Sequence, residues 1–256
     1  MESSMSCCQM IKFSLSKLVM EFTGTLFLTM FFTCGNQAVM LLGLWILNIF
    51  FWKISGSQFN PAVTFAFMFR KDERRMPWKI AVAYIVAQCL GAYVGALLVN
   101  FYTFDLPVLT YNDSFFMRAL SQELCCTYVY VFFFMANTDE KLLFSNEKAI
   151  NCFILAASYI GARSMFFGQE TGSAGTSTYG AVMNPAIAIG IEMASLFSEG
   201  FDAWKAIYLY PTVPFGAAFL AVLFYELVYK KTQAFLAHDD DKSNASSEDG
   251  MQGEHD

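Results

Sequence analysis

The chain is short of charge. Asp, Glu, Lys and Arg make up 15% of its 256 residues, against about 25% in a typical soluble domain. Hydrophobic residues reach 56% and aromatic ones 17%. This balance excludes an ordinary soluble domain and predicts a polytopic membrane protein. The formal net charge of −6 belongs to one end. Residues His238 to Asp256 hold seven acids and one Lys, which leaves fifteen acids and fifteen bases elsewhere. The acidity is that of a solvated tail, not of a binding surface, and no nucleic-acid partner is expected. Histidine is also scarce: the only two, His238 and His255, lie in that tail. The seven Cys (Cys7, Cys8, Cys34, Cys89, Cys125, Cys126, Cys152) are scattered, with no Cys-x-x-Cys. No metal site or cofactor is expected, and the Cys in apolar runs read as small hydrophobes. The first apolar run contains Glu21 and lacks a clear small-residue cleavage site, which argues against a cleaved signal peptide. No nucleophile–base constellation falls in the apolar runs, so a membrane enzyme is the least favoured class.

What the chain does have is a repeated tripeptide. Ser55-Gly-Ser-Gln-Phe-Asn60-Pro61-Ala62-Val-Thr64 is echoed by Gly180-Ala-Val-Met-Asn184-Pro185-Ala186. Pro suits the first turn of a helix, where its missing N–H is not needed. Asn one residue earlier suits the N-cap. The pattern predicts short helices over 60–70 and 184–196. A helix N-terminus carries roughly half a positive charge. Two such ends meeting in a membrane make an electropositive spot that repels cations and orients dipolar solutes.

Six runs are long and apolar enough to span: 15–34, 37–54, 78–101, 115–136, 149–168 and 204–229. One half-helix falls after the second and one after the fifth. Three spans and a half-helix per half make an inverted repeat. The expected fold is therefore all-α, six transmembrane helices plus two re-entrant half-helices. Residues 1–14 and 231–256 lie outside a channel-like domain of 15–230. Glu21 and Glu123 sit early in the first and fourth runs. Acids there are costly. Either they snorkel at an interface, or they turn inward and accept hydrogen bonds from loop backbone that lipid cannot satisfy. Gly91 and Gly95 form a small-residue face for close helix packing.

Lys and Arg set orientation. Lys12, Lys17, Arg70, Lys71, Arg74, Arg75, Lys79, Lys141, Lys148, Lys230 and Lys231 all fall on one side of a six-span layout, which places both termini in the cytoplasm. The loop 102–114 has no Lys or Arg and holds Asn112-Asp-Ser, an acceptor pattern for glycosylation.

Two Asn-Pro-Ala motifs, one in each half of a hydrophobic chain, resemble the aquaporin and glycerol-facilitator family over about residues 15–230. The resemblance implies a channel for water and small uncharged solutes, usually a homotetramer with one pore per subunit. It assigns Asn60 and Asn184 to donate from their amides to a passing oxygen, and Glu21 and Glu123 to support the loops. It also implies an outer selectivity filter at Met40, Gly168, Ala181 and Ile187. Most members carry Arg at the last position, and this chain departs from them. Gln58 stands where a His is common, and Ala188 where glycerol facilitators carry Asp. The Arg-less motif resembles unorthodox aquaporins, many of internal membranes, although their first motif is often altered and this one is intact. Such a filter is wider or more apolar than a strict water filter. Arg163 lies five residues before Gly168. On a continuous helix that places it about 7–8 Å away and roughly 140° around the axis, pointing from the pore toward a buried or interfacial partner such as Glu170. A secondary transporter, which also uses broken helices, and a structural membrane protein with a closed pore remain as alternatives.

Overall fold

The structure, a computed structural model, describes residues 7–103, 109, 116–139, 145–165 and 181–237. All regular structure among them is helical: α1 Cys7–Thr33, α2 Gln37–Ser55, α3 Pro61–Met68, α4 Trp78–Thr103, α5 Phe116–Asn137, α6 Lys148–Ser164, α7 Pro185–Glu199 and α8 Val213–Phe224. A 3₁₀ segment, Gly200–Ala206, precedes α8, and a π-turn at Tyr225–Tyr229 follows it.

The packing repeats itself. α1 packs on α2 and α4, as α5 packs on α6 and α8. α4 packs on the second half-helix α7, as α8 packs on the first, α3. α2 and α6 meet each other. Exchanging the first four helices with the last four preserves each of these pairings, the internal symmetry expected of two related halves. This is the all-α, aquaporin-like arrangement that the two motifs predicted.

The helices expose large apolar side chains and bury small residues together with a few polar ones. On α4, Val82, Val86 and Leu90 form one exposed stripe, while Gln88, Gly91 and Gly95 line the buried one. A Cβ on Gly91 would stand 2.1 Å from the Phe22 carbonyl oxygen, and one on Gly95 would stand 2.5 Å from that of Leu26. Only glycine lets the α1 and α4 backbones approach so closely.

Among the described residues, five helices are long and apolar enough to cross a membrane: Ser14–Thr33, Gln37–Ser55, Trp78–Thr103, Phe116–Asn137 and Val213–Ala237. α6 has 17 residues, about 26 Å of helix, just short of a hydrocarbon core of about 30 Å. It ends at Ser164, four residues before the sequence-based limit. There the Ser164 hydroxyl donates to the Ile160 carbonyl at 2.6 Å and to Gln37 Oε1 at 3.2 Å, tying the helix end to the start of α2. The last span also differs: it starts at Val213 instead of 204. Pro211 and Pro214 lack N–H groups, so the regular ladder forms only once Pro214 occupies the first turn of α8.

A polar knot closes the end of the bundle where α3, α5 and α8 finish. Arg70, 1% exposed, binds Asp72 at 2.6 Å, Thr138 Oγ1 at 2.7 Å and the Met135 carbonyl at 3.2 Å. The Tyr225 hydroxyl donates to Asp139 at 2.6 Å, and Lys230 reaches Asp72 at 3.0 Å. Partial burial alone raises the Asp72 carboxyl, but the hydrogen bond and charge of Arg70, and then of Lys230, outweigh it and hold the group well below the usual carboxylate range.

Candidate functional site

The site is built where the two half-helices meet. Asn60 and Asn184 each precede a Pro and adopt extended backbone, so each side chain can turn back on its helix. Asn60 Oδ1 accepts from the Ala62 N–H at 2.8 Å, and Asn184 Oδ1 accepts from the Ala186 N–H at 3.0 Å. Capping occupies only the oxygen. Asn60 Nδ2 donates to the Met183 carbonyl at 2.8 Å, and Asn184 Nδ2 donates to the Phe59 carbonyl at 2.9 Å. Each asparagine thus braces the loop that carries the other. An amide nitrogen has two N–H donors, so each brace leaves one donor for another oxygen.

The carbonyls that receive these braces belong to residues in an unusual conformation. Phe59 has φ 48° and Met183 has φ 56°, in the left-handed region that non-glycine residues visit at a cost of about 1–2 kcal/mol. The buried acids hold this geometry. Glu21 Oε1 accepts from the Gln58 N–H at 3.1 Å, and its Oε2 from the Phe59 N–H at 2.7 Å. Glu123 Oε2 accepts from the Val182 N–H at 2.9 Å, and its Oε1 from the Met183 N–H. The two carboxylates perform the same task in opposite halves. Both are almost fully buried, as the inward-facing alternative required.

Residues 8–225 match the family model of the major intrinsic proteins. The chain belongs to that family. The major intrinsic protein relatives it resembles include the aquaporin PIP2-5 of Oryza sativa subsp. japonica, 28% identical over 193 residues, and the aquaporin PIP1-3 of Arabidopsis thaliana, 30% identical over 184. Each alignment covers 69% of this chain and 60% of the relative, so the chain spans about three fifths of the length of these curated relatives. Among solved structures it resembles the aquaglyceroporin from Plasmodium falciparum, with a TM-score of 0.66 and 19% identity, covering 84% of this chain and 97% of that one. That likeness shows the shared fold. The family and the apolar helices together make this an integral membrane protein.

Around the paired asparagines this major intrinsic protein adds partners that the sequence did not announce. Gln88 Nε2 on α4 donates to Glu21 Oε2 at 2.8 Å and to Thr64 Oγ1 at 2.9 Å. Thr64 Oγ1 in turn donates to Gln58 Oε1 at 2.7 Å. Gln58 is therefore tied through Thr64 and Gln88 to the Glu21 carboxylate, where a histidine would have titrated. On α6 the Tyr159 hydroxyl donates to the Val182 carbonyl at 3.0 Å. A glutamine beside a small-residue face in an apolar run is a usable signal for Gln88. Tyr159 carries none, because an aromatic in an apolar helix reads as packing.

Of the expected filter positions, Met40, Ala181 and Ile187 are all buried, at 2%, 2% and 0% exposure, and belong to one apolar cluster. Gly168 lies outside the described residues, as do Glu170 and Asn112. The expected offset between Arg163 and Gly168 involves a residue outside the described ones. Arg163 is 3% exposed and turns toward the second motif, with Nη1 donating to the Ala181 carbonyl at 2.8 Å.

At the end of α2 and the start of α6 a cavity of about 700 Å³ opens, lined by Trp52, Lys53, Arg74, Asn137, Lys148 and Leu155 among others.

Proposed function

We propose that this protein is a passive membrane channel for water and small uncharged solutes such as glycerol or urea, with the path running between Asn60 and Asn184. The observation that carries the reading is the reciprocal brace. It holds two helix N-termini face to face and leaves amide donors for a passing oxygen, while the two positive ends oppose cations. No covalent chemistry or cofactor is involved in this reading. Met40, Gly168, Ala181 and Ile187 form the outer constriction, and the cavity beside Trp52 and Lys148 is the opposite mouth. The channel domain is residues 15–230, with 1–14 and 231–256 in the cytoplasm, consistent with the one-sided distribution of Lys and Arg. The chain assembles as a homotetramer with one pore per subunit. Stopped-flow swelling of proteoliposomes, with water compared against glycerol and urea, tests the reading. Permeabilities no higher than those of protein-free lipid would favour a closed structural protein, and solute uptake against a gradient would favour an ion-coupled transporter.

A further inference from the structure

The basic side chains at the Lys- and Arg-rich end of the bundle are used in two ways. Arg70 and Lys230 are taken up by the polar knot, against Asp72 and the acids beside it. The side chains of Lys53, at the end of α2, and Lys148, at the start of α6, make no ion pair with any described residue. Both are exposed, and both line the cavity of about 700 Å³ together with Arg74, from the segment after α3. Among the described residues that line it, three are basic and none is acidic. The acids nearest in sequence, Asp139 and Glu147, are not part of the lining, and Asp139 already accepts from the Tyr225 hydroxyl.

Topology alone does not ask for this. The positive-inside pattern requires only that bases lie on one side of the membrane; it does not bring three of them, from three separate elements, to one concavity. Nor do these cations hold the cavity together. Asn48 Nδ2 donates to the Cys152 carbonyl at 3.3 Å, Trp45 Nε1 to the Ala149 carbonyl at 3.0 Å, and Asn137 Nδ2 to the Asn151 carbonyl at 2.9 Å. Neutral groups thus fix the start of α6 to α2 and α5, and the two lysines remain available. A concavity lined by one sign of charge between low-dielectric walls focuses its field on an entering counter-ion. Trp52 and Leu155 supply such walls.

We propose that this cavity binds a small phosphate ester and that the bound ligand closes the mouth. The closing rests on the channel reading above; the binding does not. Three cations match a phosphate dianion better than a single carboxylate. The Arg74 guanidinium offers planar donors to two phosphate oxygens, and Lys53 and Lys148 act as point charges. The volume falls in the range of about 300–1,000 Å³ that holds a whole small ligand, so the body that carries the phosphate has room against Trp52 and Leu155. Two sources share this chemistry: a soluble phosphate ester, or the headgroup of a phosphorylated lipid, which basic pockets between helices on this side of a membrane accept. Occupied by either, the mouth is obstructed and water flux falls.

The test uses full-length protein and has two arms. The first is binding, read as the melting temperature in detergent during titration with inorganic pyrophosphate at constant ionic strength. Wild type should show a saturable upward shift. The double variant Lys53→Gln, Lys148→Gln should need at least roughly tenfold more pyrophosphate for the same shift. The double variant Lys71→Gln, Lys79→Gln removes equal charge from the same side and should follow wild type. No saturable shift in wild type, or equal losses in both double variants, overturns the proposal. If the Lys53, Lys148 variant does not assemble, Lys148→Gln alone decides, and an unchanged titration overturns the proposal. The second arm is stopped-flow water flux per assembled channel in vesicles of phosphatidylcholine, in the same vesicles with pyrophosphate on both sides, and in vesicles containing a few per cent phosphatidylinositol 4-phosphate. Inhibition by pyrophosphate alone identifies a soluble ester as the source, and inhibition by the lipid identifies a headgroup; either should be lost in the Lys53, Lys148 variant. Flux that neither changes overturns the closing of the mouth. A wild type without flux above lipid defeats the channel reading itself and leaves the melting arm to decide the site, whereas a conducting wild type without any pyrophosphate or lipid response defeats this inference alone.

Discussion

Replacing Glu123 with Gln removes a single charge and almost no volume, yet it should damage the second loop severely. Both carboxylate oxygens face N–H donors, those of Val182 and Met183, an arrangement an amide cannot satisfy. Glutamine keeps one oxygen and turns an NH₂ group toward the other donor. Hydrogen bonds to charged groups contribute about 1.5–3 kcal/mol each, and an orphaned buried donor costs about 1–3 kcal/mol. Losing one bond and weakening the second puts the cost at about 2–4 kcal/mol, roughly 30- to 700-fold in the equilibrium between ordered and disordered loop. Met183, at φ 56°, has no intrinsic preference for its conformation and would relax first. That would withdraw the carbonyl that receives Asn60. The assay is water permeability per assembled channel, with a thermal melt in detergent alongside. Glu123→Gln should melt lower and lose most of its water flux. Glu21→Gln should be milder, because Gln88 and Thr64 stay linked around the first loop. A Glu123→Gln protein that melts and conducts like wild type would refute the reasoning.

Ile187→Arg places a guanidinium in the proposed constriction and should reduce glycerol and urea permeability more than water permeability; equal scaling of every flux would move the limiting step away from residue 187. Asp72→Asn should lower the melting temperature by a few degrees at neutral pH. The Asp72 carboxyl is depressed in the folded protein, so its contribution is fully present above the unfolded value of about 3.9 and fades only as pH falls through the lower folded value. The gap between wild type and variant should therefore stay constant from pH 8 to 5 and narrow in acid; a gap that widens on acidification would contradict the assignment.

Much of the frame is legible in the sequence. Asn before Pro dictates a cap, and two such caps in matching halves imply facing half-helices. An acid in an apolar run must find donors, and only unpaired loop backbone offers them, which is why Glu21 and Glu123 stand out. Gly91 and Gly95 announce a close helix contact by their spacing. The unread features depend on helix ends and on contacts distant in sequence. The reading of Arg163 hangs on Gly168, whereas its contact is set by the face of α6 it shares with Tyr159, both donating to the loop before Asn184. The last span was read from hydropathy, which does not register that Pro214 sets the start of α8. Arg70 sits among Lys71, Arg74 and Arg75 and reads as one more topological charge. Its burial follows from partners on α5 and in the π-turn after α8, 65 and 155 residues away in sequence.

The pore between the asparagines is tested most directly by the double variant Asn60→Asp, Asn184→Asp, compared with wild type in stopped-flow swelling and in an ion-leak assay on the same vesicles. Aspartate can still cap each helix through an oxygen, but it offers no N–H to Met183 or Phe59 and adds negative charge to two positive helix ends. The account predicts that wild type conducts water and excludes ions, and that the assembled double variant conducts less water and admits cations. Unchanged water flux and intact ion exclusion in an assembled double variant would contradict a pore at these motifs.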